Sequence, residues 1–143
     1  MATQTMAHHG DHSQTTIRVR TVLRLILGAI FFIMGLNGFF NFLPMPQMSG
    51  EAATFMKALG MSGYFFPLLK TVETLSGLAL LANKFSHVAI VALLPVTVNI
   101  FFFHLFLAPS GILMGIIVLA VNIALIALYF DIYKPLLRSV IEK

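Results

Sequence analysis

The stretch TVLRLILGAIFFIMGLNGFFNFL, residues 21–43, decides the fold. Its length matches the ~20 apolar residues that an α-helix needs to cross a bilayer core. Pro44 and Pro46 stop it, because proline lacks a backbone donor and clashes with the preceding turn. Three further apolar runs follow at 64–82, 87–108 and 111–130, the last two separated by Pro109 and Ser110. Proline followed by a small polar residue marks a tight turn. The pattern predicts an all-α membrane protein: one domain over 17–143, built as an antiparallel bundle of four transmembrane helices.

Composition agrees. Of 143 residues, 59% are hydrophobic and 10% charged, where a soluble domain carries about a quarter charged residues. Mean hydropathy is +0.95. So few charges could not cover a water-facing surface, and the lipid bilayer is the partner the composition demands. The net charge of +4 reflects basic helix flanks and gives no argument for nucleic acid. The chain has no cysteine. That excludes thiol–disulfide exchange, thiolate metal sites, c-type haem attachment and cysteine-held iron–sulfur clusters. No metal-ligand motif, phosphate-binding loop or nucleophilic triad is visible.

Residues 1–16 are polar, carry His8, His9 and His12, and lack the ordered parts of a signal peptide. They are expected to form a disordered tail, with weak adventitious metal binding by the histidines as the alternative. In the one long loop, Ser49 is an N-cap candidate, Glu51 suits a first turn and Gly60 is a C-cap candidate. Ala52, Phe55, Met56 and Leu59 give the segment between them an apolar side, so 50–59 reads as a short interfacial helix. Arg18, Arg20, Arg24, Lys84, Lys134, Arg138 and Lys143 fall on one side of the spans, and Lys57 alone falls on the other. The positive-inside rule then puts both termini in the cytoplasm of a bacterial inner membrane.

Polar residues inside the runs need a reason, because hydrocarbon offers them no partner. Lys70, Glu73, Thr74 and Gly77 form one stripe at i, i+3, i+4, i+7, and Lys70 and Glu73 are spaced to pair. Asn37 and Asn41 share a face of the first helix, while Gly28, Gly35 and Gly38 offer another backbone a close approach. Asn99 and His104 lie on the third helix, and Gly111, Gly115, Asn122 and Tyr129 align on the fourth. Gly111 and Gly115 make a GxxxG contact. At about 1.5 Å rise per residue, Asn37, Asn41, Lys70, Glu73, Asn99 and His104 all fall within the outer ~14 Å of the membrane. If they turn inward they form a polar chamber open outward, with the interfacial helix as a lid.

Each of these has two readings. Glu73 is a proton acceptor or headgroup ligand, or an ion pair with Lys70 that fixes its helix. His104 is a proton relay, or bonds an asparagine or a carbonyl. A bis-histidine haem is disfavoured, since His87 lies near the opposite face. Asn37, Asn41, Asn99 and Asn122 are interhelical glue or ligand contacts. The paired phenylalanines, such as Phe31–Phe32 and Phe65–Phe66, line a pocket for a flat ring such as a quinone, or face lipid.

The first run, Leu23-Arg24-Leu25-Ile26-Leu27-Gly28 with Phe31-Phe32 and Met34-Gly35-Leu36-Asn37-Gly38, resembles the opening of the DoxX family of small bacterial membrane proteins. Val72-Glu73-Thr74-Leu75-Ser76-Gly77 resembles its glutamate helix, and Leu94-Pro95-Val96-Thr97-Val98-Asn99 with Phe103-His104-Leu105 resembles a subgroup pattern. The likeness covers about 22–137. It implies a four-helix inner-membrane protein that is a subunit of, or accessory to, a quinone-linked membrane oxidoreductase, without a redox centre of its own. Some relatives associate with oxidoreductases that handle thiol or oxidative stress; others look like assembly chaperones for membrane receptors. Two departures stand out. Without cysteine, any thiol chemistry belongs to a partner, and Asn37 stands where many relatives carry lysine.

Three functions follow from these readings. The first is the oxidoreductase subunit, with Glu73 and His104 handling protons and Lys70, Asn99, Asn37 and Asn41 bonding a quinone headgroup. The second is a non-catalytic scaffold or assembly factor, whose Gly111–Gly115 face and phenylalanines bind partner helices or a second copy of the chain. The third, a small-solute carrier, is disfavoured by the lack of an inverted repeat or broken helix. In all three, Gly28, Gly35 and Gly77 are packing positions.

Overall fold

A computed structural model describes the backbone of residues 3–141 and the side chains of 14–135. Among the described residues there is no strand. Six α-helices run in order: α1 (Thr3–Phe40), α2 (Gly50–Met61), α3 (Phe65–Leu81), α4 (Ser86–Phe106), α5 (Ile112–Leu128) and α6 (Phe130–Ile141), with a single 3-10 turn, Pro109–Gly111, before α5.

Helix limits differ from the expectation where local chemistry outweighs hydropathy. α1 begins at Thr3 rather than 21, where a disordered tail over 1–16 was expected. Nothing in 3–20 stops a helix that the apolar run has nucleated, since that stretch has no proline and only Gly10. α1 ends three residues early because Asn41 turns left-handed (φ 50), its N–H bonding the Asn37 carbonyl at 2.8 Å. Asparagine tolerates that conformation. Gly60 lies inside α2 and does not cap it. The left-handed residue past the end is Gly63 (φ +74), and its N–H reaches the Gly60 carbonyl at 3.1 Å.

Among the described residues three helices are long and apolar enough to cross a membrane: Gln14–Phe40, Ser86–Phe106 and Pro109–Leu128. α3 has 17 residues, or about 26 Å of rise against a hydrocarbon core of ~30 Å. It is therefore not among them, although the sequence reading counts four. α1 packs on α3, α3 on α4, α4 on α5, and α5 returns to α1, so contacts run round a ring of four helices. The α1–α3 seam is antiparallel and very close. A Cβ on Gly77 would meet Phe32 Cα at 2.7 Å and the Gly28 carbonyl at 2.9 Å, and one on Gly28 would meet Leu80 Cβ at 3.0 Å. Gly35 faces Thr74 in the same way. Glycine lets two backbones touch where any side chain would hold them apart.

One end of the ring, the α2 side, carries the end of α1 and the start of α3; the other is the α6 side. The core lies toward the α6 side. Leu27, Leu80, Ile90, Leu93 and Leu125 are fully buried there, with Phe31 and Tyr129 nearly so. Arg24 is buried with them, and its guanidinium donates to the Leu80 carbonyl in the last turn of α3. A cation there is favoured both by the hydrogen bond and by the negative end of the helix dipole. The sequence reading makes Arg24 a flank charge; the structure makes it a cap. Arg20 lies 4.9 Å over the Tyr129 ring, and Tyr133 donates to the His87 carbonyl at 2.7 Å. The outward faces are apolar, with Val22, Leu68, Leu75, Leu113 and Phe106 each more than half exposed. Such a surface suits lipid and is costly in water, so the chain is a multi-pass membrane protein.

Candidate functional site

α3 places the charged residues. The helical spacing i, i+3 brings Lys70 Nζ to 2.7 Å from Glu73 Oε2, with the two side chains 20% and 5% exposed. The Lys70 stem lies directly over Gly38 of α1, so the glycine leaves room for it to reach along the helix. Thr74 bonds back to the Lys70 carbonyl at 2.7 Å. Two opposite charges held together in a low-dielectric site can be kept there only as a pair.

α4 places the neutral groups. His104 sits in its last turn, with its ring against Gly111. Nδ1 is 3.1 Å from the Ala108 carbonyl oxygen. A carbonyl only accepts, so the proton of the neutral ring is on Nδ1, and Nε2 carries the lone pair. The chain folds this way locally because Pro109 begins the 3-10 turn at once and returns Gly111 under the ring. Gly115, one turn on, receives Phe101, whose Cα would be 3.1 Å from a Cβ there. The GxxxG pair is therefore covered by α4 of the same chain.

These groups face one cavity of about 850 Å³ on the α2 side. Lys70, Glu73, Asn41, Asn99 and His104 all line it. The remaining wall is apolar, and α2 supplies Phe55, Met56 and Leu59 across it. The Phe55 ring lies 6.1 Å from that of Phe103 on α4, which ties α2 over the opening. A mostly apolar hollow of this size with a few converging polar groups is the usual form of a small-molecule site.

Asn37 is the exception. It is 2% exposed and does not line the cavity. Its Oδ1 accepts from the Leu43 N–H at 2.6 Å, and its Nδ2 donates to the Leu43 carbonyl at 3.3 Å. Both ends of the amide are thus engaged with one residue of the segment that follows α1. That places Asn37 as a clamp on the chain rather than a ligand contact.

The methionine lining has no counterpart in the sequence reading, which also leaves the partner of Asn122 open. Five methionines, Met34, Met45, Met48, Met56 and Met114, line the cavity, and thioether chains give an adaptable apolar wall. Below the cavity, Asn122 donates to Thr97 Oγ1 at 3.3 Å, both residues fully buried. The polarity of Asn122 signals a partner, but no spacing rule connects residues on different helices. Layer by layer toward the α6 side, the cavity floor passes into Leu27, Leu80, Leu93 and Leu125, all fully buried.

The family described as DoxX matches the chain over residues 19–106, a stretch that contains Lys70, Glu73, Asn99 and His104. No curated protein and no solved structure matches.

Proposed function

The chain belongs to the DoxX family, and on that premise we propose that it is a membrane-embedded subunit of, or accessory to, a quinone-linked oxidoreductase. The observation that carries this is the single cavity on which the Lys70–Glu73 pair, Asn41, Asn99 and His104 converge. In this reading α3 is a fourth membrane span, and α1, α3, α4 and α5 form an antiparallel bundle. Basic residues on the α6 side outnumber Lys57 on the α2 side. The α2 side therefore faces out of a bacterial inner membrane, with both termini in the cytoplasm.

The cavity fits a flat headgroup bearing carbonyl oxygens. A quinone supplies two-electron, two-proton chemistry when bound, and the electrons belong to a partner oxidoreductase. The residues of this chain bind and handle protons. Lys70 donates to a carbonyl oxygen while Glu73 balances its charge. Asn99 and Asn41 fix the plane of the headgroup. Nε2 of His104 takes up a proton as the imidazolium forms and returns it. The methionines and phenylalanines keep water out.

The scaffold reading keeps its exposed phenylalanines, such as Phe40 and Phe106, but not its glycine face, since Gly111 and Gly115 are covered by His104 and Phe101.

Native mass spectrometry of wild type beside Glu73→Gln, extracted in mild detergent, tests the proposal, with the bound lipid fraction scanned for quinone absorbance. A stoichiometric quinone in the wild type and none in the folded variant is expected. A wild type free of quinone, with a membrane protein co-extracted in both samples, would refute it.

A further inference from the structure

The cavity reaches beyond the interior of the helix ring. Apart from Asn37, which the returning chain covers at Leu43, the buried residues of α1 are Arg24, Leu27, Gly28, Phe31 and Gly35. At about 100° per residue these lie within about 60° of Phe31 around the helix. Yet Ala29, Ile30 and Ile33 also line the cavity, and they sit about 100° to 160° from Phe31 on the same wheel. Ile33 is 45% exposed and points nearly opposite the core. A hollow confined between the helices would not touch it. The cavity must pass round the side of α1.

α5 is the neighbour on that side. α1 contributes Leu23, Leu27 and Phe31 to the common core, and α5 contributes Val121, Leu125, Ile126 and Leu128, all toward the α6 side. Arg20 over Tyr129 adds a further contact near that end. On the α2 side, Ile33 of α1 and Met114 of α5 both line the cavity, and Met114 is 53% exposed. The two helices thus pack at one end and leave a gap at the other. Ile33 lies seven residues before the end of α1, about 10 Å down its axis. At that depth a gap opens onto acyl chains. The water-facing end is covered instead, by α2 with Phe55 against Phe103.

Resting on the quinone-site reading of this cavity, we infer that it takes its ligand sideways from the bilayer, through the gap between α1 and α5. The ligand is a membrane-dissolved amphiphile: its headgroup reaches Lys70, Glu73 and His104, and its apolar tail lies past Ile33 and Met114 in the outer leaflet. Charge and polarity run in the matching order. Glu73 is the most buried polar group of the site, and the mouth is aliphatic and thioether, with no charged residue among those named at the gap. The volume of about 850 Å³ is ample for a headgroup with the start of a tail. A ligand arriving from water would instead have to displace α2 and cross the phenylalanines.

The absence of native cysteine makes the portal testable. Ile33→Cys/Met114→Cys supplies the only two thiols, which a flexible bis-maleimide joins across the gap. Decylubiquinone is the probe, added to protein in nanodiscs before or after bridging. Bridging first should slow uptake at least tenfold, and bridging second should trap the bound quinone against washing with empty vesicles. A tail-less benzoquinone offered from water should gain no advantage from an open gap. Ile33→Trp/Met114→Phe closes the same gap without a crosslinker and should slow uptake likewise, with folding checked by circular dichroism. Bridged or filled protein that takes up decylubiquinone as fast as the open form overturns the portal and leaves the site reading standing. Unbridged, folded protein that binds neither quinone overturns the site reading, and the portal with it.

Discussion

Gly77→Ala should destabilise the protein although alanine is the better helix former. The added Cβ would stand 2.7 Å from Phe32 Cα and 2.9 Å from the Gly28 carbonyl oxygen. Ordinary contact begins near 3.4 Å, so α1 and α3 must part by about half an ångström or more. The obstacles are backbone atoms of a packed helix, which cannot rotate away. A gap of 0.5–1 Å forfeits about a quarter to a half of each contact along the seam, and overpacking of this kind costs about 1–3 kcal/mol. Alanine returns about 1 kcal/mol of helix propensity, leaving a net loss of up to ~2 kcal/mol. Gly60→Ala is the internal control. Its nearest neighbour would be Phe66 Cε2 at 3.4 Å, so it should keep the propensity gain and stabilise α2 by up to ~1 kcal/mol. The chain has no tryptophan and no cysteine, so far-UV circular dichroism during titration of mixed micelles with dodecyl sulfate is the suitable assay. Gly77→Ala at least as stable as wild type would refute the close-seam account of α1 and α3.

Replacing Arg24 by methionine keeps an apolar stem but removes the donor to the Leu80 carbonyl; the same titration should show a loss of about 1.5–3 kcal/mol, and no loss would mean that the cap does not form. Breaking the Lys70–Glu73 pair by Lys70→Met should cost about 3–5 kcal/mol, because it strands a buried carboxylate, while Lys70→Met/Glu73→Gln should recover most of it; equal stability of single and double variants would count against a buried pair. Asn37→Ala releases both bonds to Leu43 and should speed proteolysis in the 41–49 segment several-fold without altering the helix content, whereas unchanged cleavage would deny the clamp.

Much of this architecture is written in local pattern. Apolar run length and the stops at Pro44, Pro46 and Pro109 mark the helices because each acts on its own turn of chain. The stripe Lys70–Glu73–Thr74–Gly77 is legible for the same reason: spacing on one helix fixes one face. Depth along the helix then anticipates that Lys70, Glu73, Asn99 and His104 lie toward one end, and they line one cavity there. What sequence does not carry is which neighbour each face meets. Arg24 reads as a flank charge until the last turn of α3 arrives beside it. Asn37 reads as a ligand donor until the loop folds back and Leu43 occupies it. Gly111 and Gly115 read alike whether a partner helix or the chain's own His104 fills them. The length of α3 is set by the turns at Gly63, Asn83 and Phe85, all three at positive φ, which hydropathy alone does not register.

The cavity has a floor. Beneath Glu73 and Val118 the four helices close over Leu27, Leu80, Leu93 and Leu125 without exposed surface, and Arg24, the buried cation below them, is engaged with the Leu80 carbonyl. On the proposed orientation, with the α2 side outward, a proton that reaches His104 or Glu73 comes from the outer face and goes back to it. It crosses little of the membrane's electric field, and each elementary charge moved through the whole field would exchange about 2.3 kcal/mol per 100 mV. On that proposal the proton traffic of the site is electrically silent: it neither builds the transmembrane voltage nor responds to it.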